Sequence, residues 1–151
     1  SYDDKPFCNI ATDDLGLESE EEKKETEAKQ AEDKELLDFV KETLGEQVAS
    51  VRLSNKLVSS AVCLSTEGGV TLEMERYFRS MPGAPTDIRA VRVLELNANH
   101  HAYQTMKDAF TAGDKDKAAR IAKILHAQAL LIAGEPLEDP AAYSELVCTL
   151  I

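Results

Sequence analysis

The chain has 151 residues, about the length of one ordinary domain, and its 17 basic against 28 acidic residues leave a formal charge of −11. That balance repels phosphate backbones and excludes nucleic acid as a partner, and no stretch approaches the eighteen or so consecutive apolar residues of a membrane span. Cys8, Cys63 and Cys148 are odd in number and far apart, which argues against a disulfide framework and for buried thiols in a cytoplasmic protein.

The chain starts at Ser1 rather than Met and stops at Ile151 inside an apolar helical pattern, as a piece cut from something larger would. Residues 1 to 17 hold one short apolar run, Phe7 to Ile10, among turn formers, and read as the end of a preceding domain. Leu17 to Gly45 is the longest helical signal, opened by the capping box Ser19-x-x-Glu22 and closed by Gly45. Its first half is polar all round and should be solvated, while Leu36, Leu37, Val40 and Leu44 should dock on a core. In VASVRLS the alternation of Ala49, Val51 and Leu53 with Ser50 and Arg52 predicts a strand. LVSSAVCLST, from Leu57 to Thr66, predicts a second, ended by Glu67-Gly68-Gly69.

Thr71 can cap a short helix in which Met74, Tyr77, Phe78 and Met81 form one stripe opposite Glu73, Glu75, Arg76 and Arg79. Pro82-Gly83-Ala84-Pro85 stops it. A strand over 91–96 follows, then a helix capped by Asn97 or Asn99 with Tyr103, Met106 and Phe110 inward, ended by Gly113.

From Ile121 to Ala133 only Lys123, His126 and Gln128 interrupt the apolar residues, more than one surface helix needs. Asp114 can cap this helix and Gly134 can end it. Asp139-Pro140 then starts another, on which Tyr143, Leu146, Val147 and Leu150 share one face. The expected architecture is a mixed α+β domain over 18–151: a small three-stranded sheet with packed helices, then a C-terminal helical hairpin whose surplus apolar surface forms a four-helix bundle with a second copy.

The runs SNKLVSSAVCLST (Ser54 to Thr66), EMERYF (Glu73 to Phe78), LELNANH (Leu94 to His100) and ALLIAGEPLEDP (Ala129 to Pro140) resemble, in order and spacing, the C-terminal domain of the ninety-kilodalton heat-shock chaperones, bacterial members above all. Asn97-Ala98-Asn99-His100 departs from the Asn-Pro-Asp-His common in the family, and the EEVD-type tail of eukaryotic members is absent. The resemblance implies a homodimerisation domain of an ATP-dependent chaperone, with Ile121, Leu125, Ala129, Ile132, Tyr143, Leu146, Val147 and Leu150 at the dimer interface. It implies contact of Met74, Tyr77, Phe78 and Met81 with unfolded or partly folded client protein. It also implies no catalysis and no cofactor in this piece, ATP and Mg belonging to an N-terminal domain of the parent.

Two other classes remain beside this one. A small acidic enzyme using Cys63 or His100 would need convergent polar groups, where the chain supplies apolar stripes instead. An unrelated adaptor with a dimerising hairpin differs only in lacking the matched runs. His100 and His101 have no Cys or acidic residue at a metal-ligand spacing, and Gly68-Gly69 lacks the basic residue of a phosphate loop. The Met74 stripe equally suits a helix that buries it on its own sheet.

Overall fold

The structure, a computed structural model, describes residues 19–85 and 87–150; Phe7 to Ile10, Cys8 and the rest of the expected upstream tail lie outside the described residues. The long amino-terminal helix divides in two, α1 (Glu20–Glu32) and α2 (Lys34–Leu44), where a single helix was expected. The division falls at Asp33, whose φ of −92° and ψ of 13° leave the helical region. Its buried carboxylate accepts the Tyr103 hydroxyl at 2.7 Å and pairs with Lys107 Nζ at 2.7 Å. A tertiary contact has captured a side chain that would otherwise face water from the middle of a helix.

The capping box forms at Ser19 and Glu22. α1 buries no residue, yet it does not project. The Asn55 amide donates to the Glu22 carbonyl at 2.8 Å and reaches Thr26, and Gln30 accepts the Leu53 N–H at 3.3 Å. Polar contacts hold this helix down because it has no apolar face to bury.

The sheet contains β1 (Ser50–Leu53), β2 (Val62–Glu67) and β3 (Val91–Leu96) in the order β1-β3-β2. β1 runs parallel to the central β3, and β2 antiparallel to it. β2 starts later than the β-branched run suggests, because the Asn97 amide draws the Leu57 and Ser60 carbonyls to 3.0 and 3.1 Å and folds 57–61 into a loop. Asn97 is therefore a buried loop anchor rather than a helix cap. His100 caps α4 (His101–Thr111), its Nδ1 accepting the Ala102 N–H at 3.1 Å.

Leu53, Val62, Leu64, Leu94 and Leu96 point from one face of the sheet into a core completed by α2, α4 and α5 (Lys115–Ile132). Each large aliphatic side chain buried there is worth roughly 1.5–3 kcal/mol. Phe110, expected inward, is half-buried and stacks against Phe39 with ring centroids 5.2 Å apart. Asp114 caps α5, Gly134 turns the chain at φ +72°, and Asp139 with Pro140 begins α6 (Pro140–Cys148), so the hairpin punctuation holds. The remaining helix, α3 (Leu72–Ser80), is capped by Thr71 and lies on the edge of this assembly.

Burial and hydrogen bonding to Asp33 both push the Tyr103 hydroxyl well above its ordinary pKa, so it is a donor at every accessible pH. Tyr103→Phe should lower the urea unfolding free energy by about 1.5–3 kcal/mol, the worth of a hydrogen bond to a charged group. A loss under about 0.5 kcal/mol would show that this bond does not seat the α1–α2 joint.

Candidate functional site

The sequence places Glu75 on the solvent side of α3, opposite the Met74, Tyr77, Phe78 and Met81 stripe. The structure buries Glu75 alone of the polar face, while Glu73, Arg76 and Arg79 stay exposed. Glu75 is 4% exposed, whereas Met74, Tyr77 and Met81 are 42%, 62% and 44% exposed. Phe78 is half-buried, its ring 6.0 Å from that of Tyr77 in an edge-on arrangement.

Ionic pairing explains the burial of Glu75. The Glu75 carboxylate accepts the Ala90 N–H at 2.8 Å, meets Arg92 at 3.1 Å and bonds Arg79 one turn along its own helix. Arg92, at the start of β3, also faces Glu135 at 3.6 Å. Arg76 closes the cluster, its Nε 2.9 Å from Glu135 Oε1 and its Nη2 donating to the Ala133 carbonyl at 3.1 Å. The Arg76 Nε contact lacks hydrogen-bond alignment and acts as a Coulombic attraction, since Glu135 Oε1 accepts no hydrogen bond among the described residues. Burial works to raise the Glu75 carboxyl, but the Ala90 N–H and the Arg92 and Arg79 guanidiniums outweigh it and hold it below the usual carboxylate range. α3 is thus seated by charge and by Leu72 against the core, and leaves Met74, Tyr77 and Met81 exposed.

Beside α3 lies a cleft of about 840 Å³, bounded by residues 81–85 and 88–89, α5, the 135–139 turn and α6. Phe78, Met81, Ile88, Leu130, Tyr143 and Leu146 supply its apolar walls. His126 lines it from α5, only 6% exposed, and its Nε2 has no hydrogen-bond partner among the described residues. Burial drives the His126 pKa below the ordinary histidine value; Glu138 opposes this and Arg92 adds to it. The ring is neutral at neutral pH.

The eight expected interface residues separate. Ile121, Leu125 and Ala129 are 6%, 2% and 0% exposed within the chain's own core and are not available to a second copy. They are corrected to core positions, because α5 packs against the sheet, α2 and α4. Ile132 is 64% and Leu150 42% exposed, and Tyr143, Leu146 and Val147 are half-buried on an α6 that buries no residue.

Cys148 is exposed and Cys63 half-buried, so neither is the fully buried thiol expected. On the sheet face away from the core, Cys63 sits across from Glu95, whose carboxylate is held by Arg52 at 2.5 Å and Ser65 at 2.8 Å. Burial and Glu95 push the Cys63 thiol up, which disfavours a reactive thiolate. Among the described residues no group of three His, Cys, Asp or Glu could hold a metal ion, and no helix is long and apolar enough to cross a membrane.

Glu75, Arg92, Glu135 and His126 went unrecognised as a group. The available signals were charged residues standing beside apolar ones, Arg92 in VRVLEL and His126 in IAKILHAQALLIA. Nothing local names Glu135 as their partner.

α3 thus turns Met74, Tyr77 and Met81 to water beside a cleft of mixed polar and apolar lining. The whole chain, residues 1–151, matches the family model described as Hsp90 protein, and the chain belongs to that family of chaperones. It is 40% identical over 151 residues to the Chaperone protein HtpG of Bacillus velezensis, 38% to that of Bacillus subtilis and 42% to that of Halalkalibacterium halodurans. Each alignment takes in 100% of this chain and 24% of the relative, so the chain spans about a quarter of the length of the curated relatives it matches.

Three expectations are corrected and withdrawn with these matches: that the piece is a C-terminal dimerisation domain, that it lacks the ATPase-bearing part of its parent, and that no cofactor belongs to it. All three presupposed a place at the carboxyl end of the parent. A match to 24% of HtpG fixes the size of the shared segment and provides no such place.

The folded-state pKa of Glu75 lies below its unfolded value, so its pairing adds stability above the ordinary glutamate range, near pH 4.3, and loses it as pH falls through the lower folded value. Glu75→Gln should therefore flatten the acid limb of the stability profile and cost about 1–3 kcal/mol at pH 7; urea titrations from pH 7 to 2 measure both. Leu125→Glu, which buries a charge in the core, should unfold the chain, whereas Ile132→Glu should leave its melting temperature within a few degrees. Circular dichroism melts of the two variants check this.

Proposed function

We propose that this chain is a client-contacting segment of an HtpG-like cytosolic chaperone, meeting unfolded or partly folded protein through Met74, Tyr77, Phe78 and Met81. The observation that carries the reading is the seating of α3 on Glu75, which leaves Met74 and Tyr77 on the helix and Met81 at its C-cap between 42% and 62% exposed. Scattered apolar residues on a surface are ordinary, but a contiguous set marks an interaction site. Methionine adds a flexible, polarizable side chain that repacks against partners of different shape, as a chaperone facing many clients requires. A second copy of the chain is a further proposed partner, supported by the exposure of Ile132 and Leu150 and by an α6 with no buried residue. Sedimentation at several concentrations tests it.

For the client reading, Met74→Ser combined with Tyr77→Ser should at least halve the suppression of aggregation of a chemically denatured protein, with the melting temperature of the chain unchanged. Equal suppression by wild type and variant would overturn it.

A further inference from the structure

We infer that Arg76 and Glu135 are a positioning pair for the client face of α3: through them the turn between α5 and α6 sets how Met74, Tyr77 and Met81 are presented. This rests on the reading of α3 as the client contact and adds to it the residues that aim that contact.

Successive residues of a helix lie about 100° apart around its axis. That spacing puts Met74 and Tyr77 on one side of α3, with Met81 following at the C-cap, and puts Glu75, Leu72 and Arg76 on the opposite side, Leu72 between the other two. Leu72 packs on the core. A single apolar contact would let a short helix roll, and a tie on each flank stops it. Glu75 holds one flank, through the Ala90 N–H at 2.8 Å and Arg92 at 3.1 Å. Arg76 holds the other, its Nη2 donating to the Ala133 carbonyl at 3.1 Å and its Nε lying 2.9 Å from Glu135 Oε1. Both partners of Arg76 belong to the α5–α6 turn, so α3 is set against that turn as well as against the sheet. Arg76 also lies across Gly134, its Nη1 3.7 Å from where a side chain would begin.

Glu135 supports the pairing independently. A glutamate in a turn ordinarily faces water, yet this one is 6% exposed, and its Oε1 accepts no hydrogen bond among the described residues. Its desolvation is offset by Arg92 and by Arg76, which α3 brings over the turn. Neither Arg76 nor Glu135 belongs to the hydrophobic core. Losing their tie therefore leaves the core intact and frees α3 to roll about Leu72 and Glu75. The apolar face would then be presented at a spread of angles, and a client would meet the added cost of fixing one of them.

The test is suppression of aggregation of a chemically denatured protein by the full chain, read beside amide hydrogen exchange. Glu135→Gln and Arg76→Gln should each lower suppression roughly two- to fivefold, the effect of a partly exposed ion pair, with the melting temperature within a few degrees of wild type. The double variant should be no worse than either single one, since both remove the same tie. Exchange of the α3 amides should speed up about threefold or more in each variant, with the β3 amides unchanged. If Met74→Ser with Tyr77→Ser lowers suppression but Arg76→Gln and Glu135→Gln do not, the client contact stands and the positioning inference is overturned. If none of these variants lowers it, the client reading falls and takes the inference with it. Single effects that add in the double variant would show the two residues acting apart, which also overturns the pairing. Should Glu135→Gln fail to fold, Arg76→Gln, at a residue with a 44% exposed side chain, decides alone: suppression lost without faster α3 exchange overturns the inference.

Discussion

Arg92 stands between two buried carboxylates, and the arrangement of everything around the cleft depends on that position. One guanidinium at the start of the central strand reaches Glu75 of α3 at 3.1 Å and Glu135 of the α5–α6 turn at 3.6 Å. Removing either carboxylate would leave charge half-satisfied in a recess with little access to water, a costly state. α3 is consequently oriented by where Glu75 must go, and its apolar residues take what remains. An amphipathic helix normally buries its apolar stripe; here the ionic constraint wins, because Glu75 gathers a backbone N–H and two guanidiniums that together offset its desolvation.

The same arginine joins that surface to the rest of the molecule. β3 is paired on both edges, and Val93, Leu94 and Leu96 are fully buried, so Arg92 is anchored in the buried central strand. Glu135 follows Gly134, where the chain turns out of α5 at φ +72°. Helix α3, the cleft and the carboxyl-terminal hairpin thus share one electrostatic anchor. A packed core and buried ion pairs resist small deformation, so the exposed face and the recess beside it are held in fixed relation although α3 itself buries only one residue.

Much of the element map was legible because its signals are local. Caps at Ser19, Thr71, Asp114 and Asp139, stops at Gly45, Gly113 and Gly134, and the alternation in β1 each depend on residues within a turn or two. The misreadings share a cause. The break at Asp33 is made by Tyr103 and Lys107, seventy and more positions away, the late start of β2 by Asn97, and the burial of Glu75 by Ala90 and Arg92. In each, a polar side chain finds a distant partner and outweighs the local pattern. Ile121, Leu125 and Ala129 were misjudged differently: surplus apolar residues on α5 announced burial, and burial against one's own core looks the same in a sequence as burial against a second copy.

By itself the sequence determined the family, through matched runs spread along the chain, and the positions of most helices and strands, because capping and periodicity act over a few residues. It also marked which side chains are apolar. Only the tertiary structure decided which of them meet water, since burial depends on the whole assembly. The reason is the reach of charge: the Glu75–Arg92–Glu135 cluster assembles from three elements far apart in the chain, and its pairing holds Glu75 inward while Met74, Tyr77 and Met81 stay exposed.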